Sequence, residues 1–516
     1  MNAITIVIAS ICILAIAYRL YGTFMMVKVL KINDQTPTPA HVLEDGKDYV
    51  PTNKWVSFGH HFAAIAAAGP LVGPILAAQF GYLPGLLWLL IGAVIGGAVH
   101  DIVVLFASMR KNGKTLSEVA KEELGPVAGF CTGLSMLFII TITMAGLSMV
   151  VLHALEKNPW GTFAVGITIP IAMGVGVYYK KTGNLKLAST VGFLLLMAGV
   201  VIGPRLQTTA LGDMLTLDAK TLAVALPVYA FFAAALPVWL LLAPRDYLSS
   251  FMKIGVFAAL IAGVFFVNPA IKFPAVTEFI HGGGPVIAGP VWPFISITIA
   301  CGAISGFHAF VGSGTTPKML DKWSDIKPVA FGAMLVECLV GIMALIAAAA
   351  LEPADYFAIN STPEIFRTLG MNVVHLPELS KEIGLSLEGR TGGAVTLAVG
   401  MTYIFTEIPF FSHLASYFFQ FVIMFEAVFI LTAIDAGTRV ARYLIQEFFG
   451  EVYKPLKKNR LAAGLDFLKR ARLPAVGLSS VFGRHQLHLG AVRRIQSAYG
   501  VCRLNYRCDR RIKNSR

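Results

Sequence analysis

The sequence predicts an all-α polytopic membrane bundle of about 11–12 membrane segments, and three observations predict it. First, 56% of the 516 residues are hydrophobic and only 14% are charged, whereas a soluble domain carries about 25% charged residues. Second, apolar runs recur at the length of about 20 residues that a hydrocarbon core of about 30 Å requires. Third, lipid offers backbone groups no hydrogen-bond partner, so these runs must close their own bonds as helices.

The elements follow in chain order. Ile4–Val27 is the first span; no basic stretch precedes it, so it reads as a retained helix rather than a cleaved leader. Phe58–Phe80, Leu83–Met109, Val127–Leu152, Phe163–Tyr179 and Leu187–Ile202 come next. Leu222–Leu242, Gly255–Val267, Trp292–Gly312 and Ala330–Leu351 continue the series. Ala394–Ala433 is too long for one helix and divides in two, while Leu116–Leu124 is short and polar and reads as a loop helix. Three units result: the first helix with its loop at 1–57, a membrane core at 58–446 and a tail at 447–516. Cys12, Cys131, Cys301 and Cys338 lie in apolar runs as small packing residues. Cys502 and Cys508 lack metal-ligand spacing.

Charge fixes orientation and isolates the tail. Fifteen Lys and Arg against Asp466 and Asp509 place the whole net charge of +13 within Lys457–Arg516. The rest of the chain is neutral, and no nucleic-acid partner is expected. Arg110/Lys111/Lys114, Lys180/Lys181/Lys186, Arg245/Lys253 and Lys318/Lys322/Lys327 fall on one side, taken as cytoplasmic. Arg439/Arg442 joins them only if Ala394–Phe411 is re-entrant or broken, with Glu407-Ile408-Pro409 as the break and His413–Ile434 as the true span. The tail has no clean spanning run. It reads either as an altered frame or truncation near Lys457, or as a basic segment drawn to anionic lipid headgroups.

Interrupted helices give a membrane protein a polar site at mid-depth, because freed carbonyl and amide groups become ligands. Phe58–Phe80 carries Gly69-Pro70 and Gly73-Pro74, one turn apart, and Leu222–Leu242 carries Pro227 and Pro237. These two helices stand five segments apart and so enter from opposite sides. That spacing marks Phe58–Ile202 and Leu222–Ala433 as two inverted five-segment halves, with Ile4–Val27 outside them. Such a site suits a carrier of small solutes. Gly69, Pro70 and Gly73 are candidate substrate-binding positions, joined by Ser305, Gly306 and His308 in the polar stretch Cys301–Lys318. The hydroxyls of Ser305, Ser313 and Thr315 are candidate ligands for Na⁺, a hard cation that favours oxygen.

Ionisable groups inside spans are costly and mark function by default. Asp101, Glu337, Glu426 and His308 are the candidates for ion coupling. Asp435 with Arg439 reads instead as an i,i+4 ion pair near a membrane edge, and Arg245-Asp246 as a cytoplasmic turn. His60-His61 cap or line the mouth of the first broken helix. No GxxxxGK[ST] and no HExxH is present, so no catalytic residue, cofactor or resident metal is assigned.

Six stretches together resemble the carbon starvation protein A (CstA) family. They are FGHHFAAIAAAGPLVGP (Phe58–Pro74), GAVHDIVVLFASMR (Gly97–Arg110), LPVWLLLAPRDYL (Leu236–Leu248), IACGAISGFHAFVGSGTTPK (Ile299–Lys318), GRTGGAVTLAVGM (Gly389–Met401) and MFEAVFILTAIDAGTR (Met424–Arg439). The resemblance implies multi-pass carriers of the inner membrane, tied to the starvation response, that take up peptides or, in some members, pyruvate with protons. It also implies a LeuT-like 5+5 inverted-repeat fold, with Trp292–Gly312 as the eighth core helix and a proton favoured over sodium. Family members usually continue past the DAGTR segment with further spans that the basic tail does not match. The competing expectation is a membrane nutrient sensor that binds its ligand without net flux.

Overall fold

The computed structural model describes residues 2–449, apart from 47, 207–208, 237–239, 384–385, 409–410 and 412–413. Pro237, Pro409 and the tail from 450 onward lie outside the described residues. Within them the chain is helical, with no strand beyond two isolated bridges.

The elements that position the site are α1 (Ala3–Val29), α2 (Lys54–Ile65), α3 (Ala68–Phe80) and α4 (Tyr82–Arg110). Next come α5 (Pro126–Leu155), α6 (Pro159–Thr182), α7 (Leu185–Leu206), α8 (Ala219–Ala235) and α9 (Leu242–Val267). Three short pieces, α10 (Val291–Thr298), α11 (Ala300–Ala303) and α12 (Gly306–Gly314), precede α13 (Trp323–Ala349), α14 (Ala394–Thr406) and α15 (Ala415–Phe449). Local chemistry sets several ends. Asn158 accepts from Gly161 N–H ahead of Pro159 at the first turn of α6, and Gly183 closes that helix at φ 66°. Asp218 caps α8 through Thr221 N–H. The polar stretch Leu116–Leu124 is a short helix between α4 and α5.

Eight helices among the described residues are long and apolar enough to cross a membrane. The pair α2 and α3, bent by 46°, makes a ninth; α8 and α14 are shorter apolar helices. α13 and α15 are the innermost, whereas α1, α5 and α7 expose most of their length. Ile16, Leu20, Ile95, Phe130, Leu194 and Val201 point outward. An apolar surface this continuous is suited to lipid. The chain is a multi-pass membrane protein.

The interruption expected in Leu222–Leu242 falls at the second of its prolines: α8 runs through Pro227 and stops at Ala235, Leu236 is extended at ψ 152°, and a new helix starts at Leu242. Pro237 disfavours helical geometry in the residue before it. Two expectations from sequence need correcting. Trp292–Gly312 is not continuous, because Ile299, Ile304 and Ser305 leave helical geometry and divide it into α10, α11 and α12. Arg245-Asp246 is not a loop turn. Both side chains are buried in the first turns of α9, and Lys253 on the same helix is 1% exposed. Together with buried Arg439, these groups are internal and do not report which loops face the cytoplasm.

Candidate functional site

Between α2 and α3 the chain departs from the helix at Ala66 (ψ 79°) and Ala67 (ψ −155°). Proline explains the position. Pro70 has no N–H, so the Ala66 carbonyl four residues earlier could never receive its helical bond. Pro70 is then tolerated as the third residue of α3, where N–H groups lack helical partners anyway. The break thus precedes Gly69-Pro70 by one turn.

The two glycines of that motif set the distance to the second interrupted segment. A Cβ on Gly69 would lie 2.2 Å from Cys301 Cβ, and one on Gly73 would lie 2.3 Å from the Thr298 carbonyl oxygen. The start of α3 is therefore pressed against the α10–α11 junction, and two irregular backbones meet in the protein interior. Pro70 is buried, Gly69 is partly buried, and Gly306 has open space where a Cβ would sit.

Next to this meeting point three elements deliver one cluster. His308 on α12 places Nδ1 2.7 Å from Asp101 Oδ2 on α4. Its Nε2 lies 3.0 Å from Glu337 Oε2 on α13, outside hydrogen-bond alignment, so this second contact is ionic rather than directional. Asp101 Oδ1 sits 2.6 Å from His100 Nδ1. Cys301 Sγ completes the group, 3.7 Å from Glu337 Oε1 and 3.5 Å from Ser305 Oγ. Asp101, Glu337 and His308 are all at most 2% exposed. Three of the four coupling candidates are therefore mutual neighbours. Glu426 is not among them: it is buried on α15 with Oε1 unpartnered.

The candidate sodium ligands have separate partners. Ser313 Oγ donates to Ala309 O at 2.6 Å, and Thr315 Oγ1 is 2.9 Å from His60 Nε2. Ser305 is engaged with Cys301. Cys301, His308 and Glu337 do converge, with their ligand atoms within 4.8 Å of one another.

A second polar layer was not legible as a site. His60 bridges Asp246 Oδ2 at 2.7 Å and Thr315, while His61 Nδ1 contacts Thr316 Oγ1 at 2.8 Å. Both histidines are fully buried and hold α2 to α9 and to the end of α12, rather than sitting at an open mouth. Asp435 pairs with Arg245 at 2.5 Å and accepts from Tyr229 Oη at 2.7 Å; it does not pair with Arg439. Arg439 instead donates to the Ala233 carbonyl at 3.2 Å and to that of Leu236, and approaches Asp48 at 3.6 Å. An i,i+4 spacing gave no hint of these partners, which lie about 200 residues away or, for Asp48, nearly 400.

Comparison with known proteins follows the same lines. The profile of a family described as "Carbon starvation protein CstA" matches residues 2–501. A relative named peptide transporter CstA from Bacillus subtilis (strain 168) is 86% identical over 501 residues, covering 97% of this chain and 83% of its own. A peptide transporter CstA from Helicobacter pylori (strain ATCC 700392 / 26695) is 49% identical over 473 residues, 88% of this chain and 69% of its own. The pyruvate/proton symporter BtsT of Escherichia coli (strain K12) is 44% identical over 507 residues, 90% and 70% respectively.

Proposed function

This chain belongs to the carbon starvation protein CstA family, and from that membership we propose that it is a secondary active carrier of the cytoplasmic (inner) membrane. Its cargo is short peptides or a small carboxylate such as pyruvate, and protons drive uptake. The relatives' names support both substrate classes, and the symporter's name supports the proton. One observation carries the coupling: His308 lies between Asp101 and Glu337, buried and contributed by three different helices.

The physical reasoning is one of charge count. A buried imidazolium between two carboxylates is compensated, whereas a neutral imidazole there leaves two negative groups facing each other in a medium that screens poorly. Proton number and the relative placement of α4, α12 and α13 are therefore linked. The α10–α12 interruption and the α2–α3 break meet beside this group, so substrate binding at the freed backbone bears on it directly. Amide groups at the start of α3 suit a carboxylate, as helix N-termini do.

We assign the chain to the LeuT-like 5+5 inverted-repeat class. Support comes from two core helices that open at proline four residues after an alanine, Ala66 before Pro70 and Ala233 before Pro237, five segments apart. Sodium coupling through Ser305, Ser313 and Thr315 is disfavoured by their separate partners.

Uptake of labelled pyruvate and of a labelled dipeptide into proteoliposomes, under an imposed pH gradient, tests this function. Accumulation of either that collapses with the gradient is expected. Binding without accumulation of either would favour a nutrient sensor instead.

A further inference from the structure

Cys301, His308 and Glu337 come from α11, α12 and α13, and each brings one donor atom to a place where all three lie within 4.8 Å of one another. His308 Nε2 is 3.0 Å from Glu337 Oε2, and Cys301 Sγ is 3.7 Å from Glu337 Oε1. Tetrahedral zinc with bonds of about 2.0–2.3 Å holds its ligand atoms about 3.3–3.5 Å apart. The cluster therefore needs only small side-chain rotations to close around such an ion.

Two of these atoms lack what buried polar atoms normally have. His308 Nε2 and Glu337 Oε2 make no hydrogen bond, although both residues are at most 1% exposed. Buried polar atoms are left so rarely that each requires an explanation. The other ring nitrogen is committed, since His308 Nδ1 lies 2.7 Å from Asp101 Oδ2, and Asp101 is steadied in turn by His100 Nδ1 at 2.6 Å. A carboxylate behind the imidazole is the arrangement that orients metal-binding histidines. With a ring proton held on Nδ1, the Nε2 lone pair faces the cluster.

The donor set decides the class of ion. A thiolate, an imidazole and a carboxylate together favour Zn²⁺ and its transition-metal neighbours over Mg²⁺, Ca²⁺ or Na⁺, which prefer oxygen alone. Three protein ligands leave a fourth tetrahedral position for water. The thiol proton leaves to water on binding, and the thiolate, Glu337 and nearby Asp101 then compensate the divalent charge. Cys301 is only partly buried, so the cluster is not sealed.

We propose that Cys301, His308 and Glu337 form a regulatory site for Zn²⁺ or a similar transition-metal ion, and that occupancy ties α11, α12 and α13 together and stops uptake. The inhibition rests on the carrier reading above, because the ion takes the ring nitrogen and the carboxylate that face each other there. The binding itself does not depend on that reading.

The test uses the full chain in detergent, free of any affinity tag, titrated with Co²⁺ and then with Zn²⁺. One equivalent of Co²⁺ should give sulfur-to-cobalt charge-transfer absorption and the visible bands of a tetrahedral ion, and Zn²⁺ should bleach both. Cys301→Ser should lose the sulfur band, whereas Cys338→Ser should keep it. Asp101→Asn should weaken binding about tenfold or more, as removal of an orienting partner does. A parent without the sulfur band, or a band that survives Cys301→Ser, would overturn the proposal. If Cys301→Ser does not fold, X-ray absorption at the zinc edge of the parent decides. One sulfur at about 2.3 Å among nitrogen and oxygen ligands is expected, and a shell with no sulfur or with several would overturn the site. In proteoliposomes, Zn²⁺ at saturating concentration should abolish uptake and a chelator should restore it; full uptake with the ion bound would overturn the regulation. A parent that accumulates neither peptide nor pyruvate removes the carrier reading while the cobalt spectrum stands, so the two failures are distinguishable.

Discussion

His308 Nδ1 lies 2.7 Å from Asp101 Oδ2, across 207 positions of sequence and from one helix to another. Glu337 faces the other ring nitrogen at 3.0 Å, so each carboxylate reports the position of a different helix relative to α12. In the proposed function, a proton on this imidazole couples to helix arrangement because it compensates both carboxylates.

Replacing Glu337 by Gln keeps shape and removes one charge. Accumulation driven by a pH gradient should fall at least about tenfold, the equivalent of about 1.4 kcal/mol. Exchange of substrate across vesicles without a gradient should persist, since the opened helices are untouched. Unchanged accumulation would clear Glu337 of coupling.

Gly69 and Gly73 make separable predictions. Gly69→Ala meets the Cys301 side chain, and Gly73→Ala meets the Thr298 backbone oxygen. Each should cost about 1–3 kcal/mol, as overpacking does. Cys301→Gly should restore Gly69→Ala, because the obstructing atoms are then gone, while Gly73→Ala has no side chain to remove. Thermal midpoints of the single and double variants, measured in detergent, check this. Equal behaviour of the two glycines would contradict the close approach described here.

Asp48, in the loop before α2, accepts from Tyr443 Oη at 2.8 Å and from Arg442 at 3.2 Å. Burial pushes its carboxyl up, but Arg442, the Tyr443 hydroxyl, Lys318 and Arg439 together hold it below the ordinary value of 3.8. The ionised form is thus the one that stabilises the fold. Its contribution is complete above that ordinary value and is lost as pH falls through the lower folded one. Asp48→Asn should be less stable by about 3–5 kcal/mol at neutral pH. The gap to the parent should narrow only below the ordinary carboxylate range. A gap that is constant down to strong acid would show that packing, not charge, is lost.

Arg245 and Asp435 are buried together, with Tyr229 bonded to both. Arg245→Met should destabilise by about 3–5 kcal/mol by stranding a carboxylate, and Asp435→Asn in the same chain should recover much of that loss. A double-mutant cycle on thermal or denaturant unfolding measures the coupling. Additive losses would argue that the two residues act independently.

Much of this was legible in the sequence, and what was missed has a common cause. Gly69-Pro70 announced an opened helix because proline removes a donor wherever it sits, and Leu116–Leu124 announced a loop helix because its composition is polar. Asp101, Glu337 and His308 stood out as ionisable groups in apolar runs, although nothing local told that they would meet while Glu426 would not. Arg245, Lys253 and Arg439 were misread as loop charges. A basic residue next to a proline or near the end of an apolar run looks solvated until its partner is known. Here the partners are Asp435 and backbone carbonyls from α2 and α8, supplied only by tertiary packing. The division of Trp292–Gly312 was hidden for a related reason, since its interruptions at Ile299 and Ile304 carry no proline.

The central claim, that substrate entry is tied to a proton held between Asp101, His308 and Glu337, is tested most directly by the proton itself. In weakly buffered proteoliposomes, adding pyruvate or a dipeptide to the parent should make the outside alkaline as protons enter with substrate. His308→Gln should show no such change although it still binds. Proton uptake by His308→Gln equal to that of the parent would contradict the account.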